Sequence, residues 1–222
     1  MPKYLVIVES QTKAKTIKKF LGRNYEVIAS NGHVRDLPKS TLGIDIENDF
    51  EPKYITIRGK GEVLAALRKA VKKADKVYLA TDPDREGEAI AWHLARVLDL
   101  NTEDNNRIVF HEITKPAILE AMKEPRKIDM DLVKSQETRR MLDRIIGFKL
   151  SKLLQNKIQS KSAGRVQSVA LKLIVDRENE IKAFKQEEYW TIHAQCKKQN
   201  KTFEADLVKV EGKKPKIKNE EE

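Results

Sequence analysis

Hydrophobic and polar positions along this chain fall into two textures. Up to about residue 127, short apolar runs alternate with stretches whose apolar residues stand three and four apart. Tyr4-Leu5-Val6-Ile7-Val8 predicts a buried strand ending at Glu9. Ser10 is placed to cap a helix over 11–21, which Gly22 closes. Strands follow over 25–29 and 54–57, then a helix over 62–74 with Leu64, Leu67 and Val71 on one face. The run Val77-Tyr78-Leu79-Ala80 predicts another buried strand. It is followed by a helix from about 87 to 98, a strand over 108–110 and a helix over 115–122 with Pro116 in its first turn. Such alternation predicts an α/β fold, a mostly parallel, Rossmann-like sheet with helices on both faces. Residues 36–53, rich in Gly, Pro, Asn and Asp, form a long loop of the kind that often carries function.

From residue 131 the pattern changes to long helices. Residues 132–157 are helix-compatible with a bend near Gly147, and Val166, Val169, Ala170, Leu173 and Ile174 form a stripe at helical spacing after the small-residue turn Ser162-Ala163-Gly164. Residues 189–196 and 201–208 alternate around Lys197-Lys198-Gln199-Asn200, which predicts a β-hairpin. The expected organisation is therefore an α/β domain over 1–127, a helical segment with a terminal hairpin over 128–210, and a disordered Lys/Glu-rich tail over 211–222.

Composition narrows the setting. With 222 residues, 40% of them hydrophobic, the chain can bury a core. No apolar run is long enough for a transmembrane helix, the first one is broken by Glu9, and no signal peptide is recognisable. The single Cys196 excludes an internal disulfide and a cysteine-based zinc site, and fits a reducing cytosol. Lys and Arg outnumber Asp and Glu by 44 to 34, a net +10 that suits a polyanionic partner. The excess is concentrated. From Lys134 to Lys172, ten Lys or Arg stand against only Glu137 and Asp143.

The candidate chemistry sits after the 77–80 strand, where Asp82-Pro83-Asp84-Arg85-Glu86-Gly87-Glu88 places four carboxylates at the edge where open α/β sheets bind ligands. Pro83 holds the chain extended, and spacing two lets Asp82, Asp84 and Glu86 project together. Oxygen-only donors of this kind suit Mg²⁺. The same acids would also cap the following helix, whose positive end favours them. Glu9 ends the first strand, and adjacency of the two strands would bring it and Asp82 into one crevice, with Lys13 pointing back from the first helical turn. A carboxylate, a lysine and a metal-binding acid cluster beside a basic surface fit phosphoryl transfer on nucleic acid. A surface ion pair at helical i, i+4 spacing is the plainer account of Glu9 and Lys13, as a solvated helix face is of the arginines.

Further blocks carry a family resemblance. Val8-Glu9-Ser10-Gln11-Thr12-Lys13-Ala14-Lys15-Thr16-Ile17, then Ser30-Asn31-Gly32-His33-Val34-Arg35-Asp36-Leu37-Pro38, then the acidic run, resemble the Toprim domain of bacterial type IA DNA topoisomerases. Glu137-Thr138-Arg139-Arg140-Met141-Leu142-Asp143-Arg144 and Ser162-Ala163-Gly164-Arg165-Val166-Gln167-Ser168 resemble that family's next domain. The resemblance implies that Glu9 protonates the leaving 3′ oxygen beside the scissile phosphate and that Lys13 stabilises the phosphate's charge. It implies that Asp82, Asp84 and Glu86, with Glu9 close by, hold Mg²⁺, and that Glu88 is an auxiliary acid. It also implies that His33, Arg35, Arg139, Arg140, Asp143, Arg144, Arg165 and Gln167 contact DNA or shape the site.

The family's nucleophile is a tyrosine in a Pro-x-Tyr-x-Arg context, and none of Tyr4, Tyr25, Tyr54, Tyr78 and Tyr189 has that setting. The expectation is the amino-terminal part of an isomerase that relaxes negatively supercoiled DNA through a 5′-phosphotyrosine. Such a part would bind Mg²⁺ and single-stranded DNA but be inactive in relaxation without the missing tyrosine and gate domains. It is expected to be a cytoplasmic, nucleoid-associated monomer with no membrane partner. A standalone metal- and DNA-binding module is a second reading. Another Toprim enzyme, a primase or nuclease, is a third, against which the Ser-Ala-Gly-Arg-Val-Gln block argues.

Overall fold

Three parallel strands, β1 (Tyr4–Val8), β2 (Tyr25–Ala29) and β7 (Lys76–Leu79), pair in the order β2-β1-β7 at the centre of the computed structural model, which describes residues 3–159, 162–217 and 219. β1 is the middle strand, pairing Tyr4 with Tyr25 on one side and with Lys76 on the other. Its continuous apolar run follows from that position, because both of its faces are covered. Leu5 and Ile7 enter a core with Leu64, Leu67 and Ala70 of α2 (Gly61–Val71) and Ile90, Ala91, Leu94 and Ala95 of α3 (Arg85–Val97). Val6 and Val8 enter the opposite core with Ala14, Ile17 and Leu21 of α1 (Gln11–Leu21) and Ile118 of α4 (Lys115–Ala121). Helices therefore lie on both faces, as the alternation predicts.

Some elements differ from their predicted form. The 54–57 strand is only β6 (Ile55–Thr56), and it pairs antiparallel with β3 (Arg35–Asp36) outside the parallel sheet. The 36–53 loop carries a second small ribbon, β4 (Ile44–Asp45) with β5 (Glu51–Pro52). Residues 108–110 run beside β7 without becoming a full strand. Arg107 makes a single parallel bridge to Leu79 and an antiparallel one to Arg126, so the pairing is shared at one residue rather than extended along a ladder. The helix predicted from 87 starts at Arg85, because Asp84 is extended and its side chain accepts from the Gly87 amide at 2.7 Å. The helix predicted to reach 74 ends at Val71.

Beyond the sheet, α5 (Met130–Ile145) runs into a π-helical turn, Ile146–Leu150, and then α6 (Ser151–Ile158). The predicted bend near Gly147 is this turn, a wider coil in which each bond reaches one residue further. Val133 of α5 is fully buried in the first core.

Packing divides the chain into units 1–165 and 166–222. The second holds all but the first residue of α7 (Arg165–Ala183), then the hairpin of β8 (His193–Lys198) and β9 (Lys201–Asp206), which turns through Gln199-Asn200 with Gln199 left-handed at φ 55°. The stretch from 211 is described in part. Val210 and Lys213 form a bridge, and the Trp190 amide donates to the Ile217 carbonyl at 3.1 Å, because backbone groups beside the hairpin find partners there. Residues 218 and 220–222 of that stretch, and Lys161 of the basic segment, lie outside the described residues. No described helix is long and apolar enough to cross a membrane.

Candidate catalytic and nucleic-acid site

The carboxyl ends of β1 and β7 lie side by side, since Ile7 pairs with Leu79 and the Ala80 amide donates to the Ile7 carbonyl at 2.8 Å. Glu9 and Asp82 leave the sheet at this common edge. Lys13 comes to them from the first turn of α1, which starts there because the Ser10 hydroxyl accepts from the Lys13 amide. The Lys13 ammonium bonds both the Glu9 and the Asp82 carboxylates. These three predicted residues are therefore brought together. The ammonium bridges side chains 69 positions apart, which a simple i, i+4 surface pair does not do.

The electrostatics separate the two acids. Burial and a hydrogen bond with Asp82 raise the Glu9 pKa, outweighing Lys13. The same bond, acting with Lys13 against burial, lowers that of Asp82. Burial works against the charge of Lys13, but its bonds to Asp82 and Glu9 prevail and its pKa is raised. At the sheet edge, then, Glu9 is the acid that keeps a proton to higher pH, Asp82 is ionised, and Lys13 is cationic.

The other acids each have a second commitment. Asp84 caps α3. Glu86 accepts from Gln136 of α5 at 3.2 Å and lies 3.4 Å from the His33 ring. Glu88 has a different place from the expected helper. It is fully buried, and its carboxylate is taken by Arg107, Arg126 and the Asp129 amide. Arg107, also fully buried, donates in turn to the carbonyls of Leu79, Thr81 and Asp82. It thus holds the backbone of the acidic loop from behind. Gly87 lets the loop close on the helix, because a Cβ there would stand 2.2 Å from the Asp82 carbonyl oxygen. Among the described residues, no group of three or more His, Cys, Asp or Glu converges as a ready metal cluster. The donor chemistry still suits Mg²⁺, which usually takes one or two carboxylates and keeps several waters.

Next to this edge is a cleft of about 290 Å³ lined by His33, Arg35, Tyr54, Glu86, His93 and Arg140 among others. Residues 30–32 leading to His33 are held by the Ser30 amide on the Val8 carbonyl, the Gly32 amide on the Glu9 carbonyl, and Lys60 on the carbonyls of Ser30 and Asn31. Gly32, at φ 83°, meets a left-handed requirement. Arg35 lies over the Tyr54 ring. Arg139 lines the cleft, with Arg140 and Asp143.

Three predicted arginines are anchored to the protein. Arg140 grips Asp36 through Nε and Nη2, Arg144 donates to the Pro38 and Leu37 carbonyls, and Arg165 grips Asp143. Gln167 lies in α7, within the second unit. Asp36, His93, Tyr54, Gln136 and Arg107 did not emerge as site residues from the sequence. Arg107 had a legible signal, a charge at the head of the apolar run Ile108-Val109-Phe110.

A parallel sheet whose strand ends present Glu9 and Asp82 to Lys13 of the first helix, with an acidic turn entering a second helix, defines a Toprim-class domain. A family model described as a Toprim domain matches residues 4–113, and one described as DNA topoisomerase matches 127–222. The solved structure of full-length topoisomerase I from Thermotoga maritima is similar at 47% identity and a TM-score of 0.82, over 98% of this chain and 36% of that one. The chain belongs to the bacterial type IA DNA topoisomerases and corresponds to their amino-terminal part. It spans just over a third of the length of the matched structure.

Proposed function

We propose that this chain supplies the acid, the phosphate-stabilising cation, the Mg²⁺ ligands and a single-strand-binding face of a topoisomerase that relaxes negatively supercoiled DNA. The observation that carries the reading is the meeting of Glu9 and Asp82, from adjacent strand ends, on the Lys13 ammonium. In cleavage, a tyrosine hydroxyl gives up its proton to solvent as it attacks the phosphorus, the bond to the 3′ oxygen breaks, and a 5′-phosphotyrosine forms. The leaving oxygen needs a proton as it departs, and Glu9, with its raised pKa, holds one. In religation the 3′ hydroxyl attacks the phosphotyrosine, Glu9 takes the proton back, and the tyrosine oxygen leaves and is reprotonated from solvent. Lys13, kept cationic, offsets charge on the phosphate oxygens throughout. Asp82, Asp84 and Glu86, with Glu9, are the residues that would hold Mg²⁺. Bound there, the ion adds positive charge beside the phosphate and helps keep the broken ends in register.

None of the five tyrosines is proposed as the nucleophile. Tyr4 and Tyr25 stack on each other at the opposite end of the sheet with Tyr78 beside them, Tyr54 is packed among Trp92 and His93, and Tyr189, though exposed, lacks the Pro-x-Tyr-x-Arg setting. The chain alone should therefore leave supercoiled plasmid unrelaxed and form no covalent adduct. A polypeptide extended through the tyrosine domain should relax negatively supercoiled plasmid with Mg²⁺, and Glu9→Gln in it should lower cleavage about 100-fold or more. An inert extended polypeptide, or an adduct on the chain alone, would overturn the assignment.

A further inference from the structure

The grip on Arg140 has a definite direction. Nε and Nη2 both point into Asp36, at 2.8 and 2.6 Å, so the pair is side-on and Nη1 lies outside it. Asp36 is fixed in turn, since its Oδ1 also accepts from the Leu37 amide at 2.8 Å. Arg140 lines the cleft beside His33 and Arg139. One helical turn further along α5, Arg144 is held by the carbonyls of Pro38 and Leu37, so the segment 36–38 orients two arginines four positions apart. A free arginine side chain has many rotamers and gives up that freedom when it binds a phosphate or a base. A side-on carboxylate removes most of it beforehand and leaves the outer donors of the fork for the ligand.

We propose that Asp36 is a positioning residue for single-strand binding, holding the Arg140 guanidinium with its Nη1 edge turned to the strand. This rests on the single-strand-binding reading above and names a residue that the reading does not contain. Asp36 stays ionised in this role: burial works against its charge, but the bonds from Arg140 and the Leu37 amide outweigh it and lower its pKa.

The consequence runs against simple charge counting. Removing a negative charge from a surface that binds a polyanion should tighten binding if only the summed field matters. Removing it here should weaken binding, because Arg140 is released. Asp36→Asn keeps the shape and the acceptor for the Leu37 amide but loses the second carboxylate oxygen. Arg140→Lys keeps the charge but cannot make the side-on pair.

The test is a double-mutant cycle on the 222-residue chain, read by fluorescence anisotropy with a labelled dT12 single strand at low salt, with thermal melts to establish that each variant is folded. Asp36→Asn should weaken binding about 3- to 10-fold in the native background, the worth of one pre-ordered side chain. In an Arg140→Ala background the same change should leave binding unaltered or tighten it. Arg140→Lys should weaken binding although the net charge is unchanged. Tighter binding by Asp36→Asn in both backgrounds, equal weakening in both, or native affinity in Arg140→Lys would each overturn the positioning role while leaving strand binding intact. Failure of the native chain to bind dT12 at all would instead remove the single-strand-binding reading, and the positioning role with it.

Discussion

Glu88 shows how far a side chain's role can depart from its motif. It stands in the acidic run with Asp82, Asp84 and Glu86, yet it is the one carboxylate of the four that is fully buried, shared between Arg107 and Arg126. Truncating it would leave Arg107 charged and unpaired in the interior. Glu88→Ala is therefore expected to destabilise the fold by about 3–5 kcal/mol, read as a lower urea midpoint with little change in slope. The spacing of the run did not reveal this, because position along a helix start tells which residues share a turn and not which one meets a partner from residues 107–129. Glu9, Lys13 and Asp82 were legible for the opposite reason: strand ends of one parallel sheet share an edge, so residues just beyond them meet. His93 carries a second residue-scale prediction. It is almost wholly buried among His33, Tyr54 and Trp92, and burial, with Arg35 and His33 nearby, pushes its pKa down to about 3 from an ordinary 6.5. As pH falls through 6.5 the unfolded chain takes up a proton that the folded chain refuses until about pH 3. Stability is thus lost across that window, by up to about 1.4 kcal/mol per pH unit. Glu9 and Glu137, raised by burial, work in the opposite sense. The measurement is accordingly the difference between native and His93→Gln midpoints from pH 6.5 to 4.5, with the shallower dependence expected in the variant.

At the scale of elements, periodicity succeeded where an element buries a face and failed where one bond decides. β1, α1, α2 and α3 show their apolar spacing because two cores need it. The strand expected over 108–110 looked equally apolar, but only Arg107 bridges to β7, and a single shared pairing leaves no trace in composition. The π turn at Ile146–Leu150 was visible as a bend near Gly147, although its widened coil was not. α5 makes the element-scale prediction. Its arginines were read as a basic face, and the structure anchors Arg144 on loop carbonyls and pairs Arg165, which follows α6, with Asp143. Anchored arginines can still meet phosphates through donors outside their pairs. Replacing Arg139, Arg144 and Arg165 together by Ala should weaken dT12 binding and flatten its salt dependence. Three single-strand phosphate contacts correspond to a loss of about 2 in the slope of log K against log salt. An unchanged slope would mean that these cations do not meet the strand.

For the molecule as a whole, the uneven distribution of burial matters more than the boundary between its units. Each buried side chain among the described residues lies between Leu5 and Gln136, most of them in the two cores around the sheet. In the second unit the stripe that predicted α7 is real as a pattern but unburied, with Val166, Val169, Leu173 and Ile174 all more than half exposed. Trp190 and Phe203 of the hairpin region are exposed as well. Sequence periodicity could say that this helix has an apolar side, but not whether that side is buried, and none of the described residues buries it. A helix without a buried face rests on propensity and its own backbone bonds, whereas most helical stability in proteins comes from packing of an amphipathic face. Opening of such a region costs little compared with unfolding of the cores. Native-state hydrogen exchange should therefore separate the units. Amides of β1, β7 and α3 should be protected close to the global limit, while those of α7 and of β8 and β9 exchange orders of magnitude faster. Limited proteolysis should likewise cut first within 166–217 and leave the sheet-bearing unit resistant. Protection of α7 equal to that of α3 in the chain alone would show that its stability comes from something other than burial.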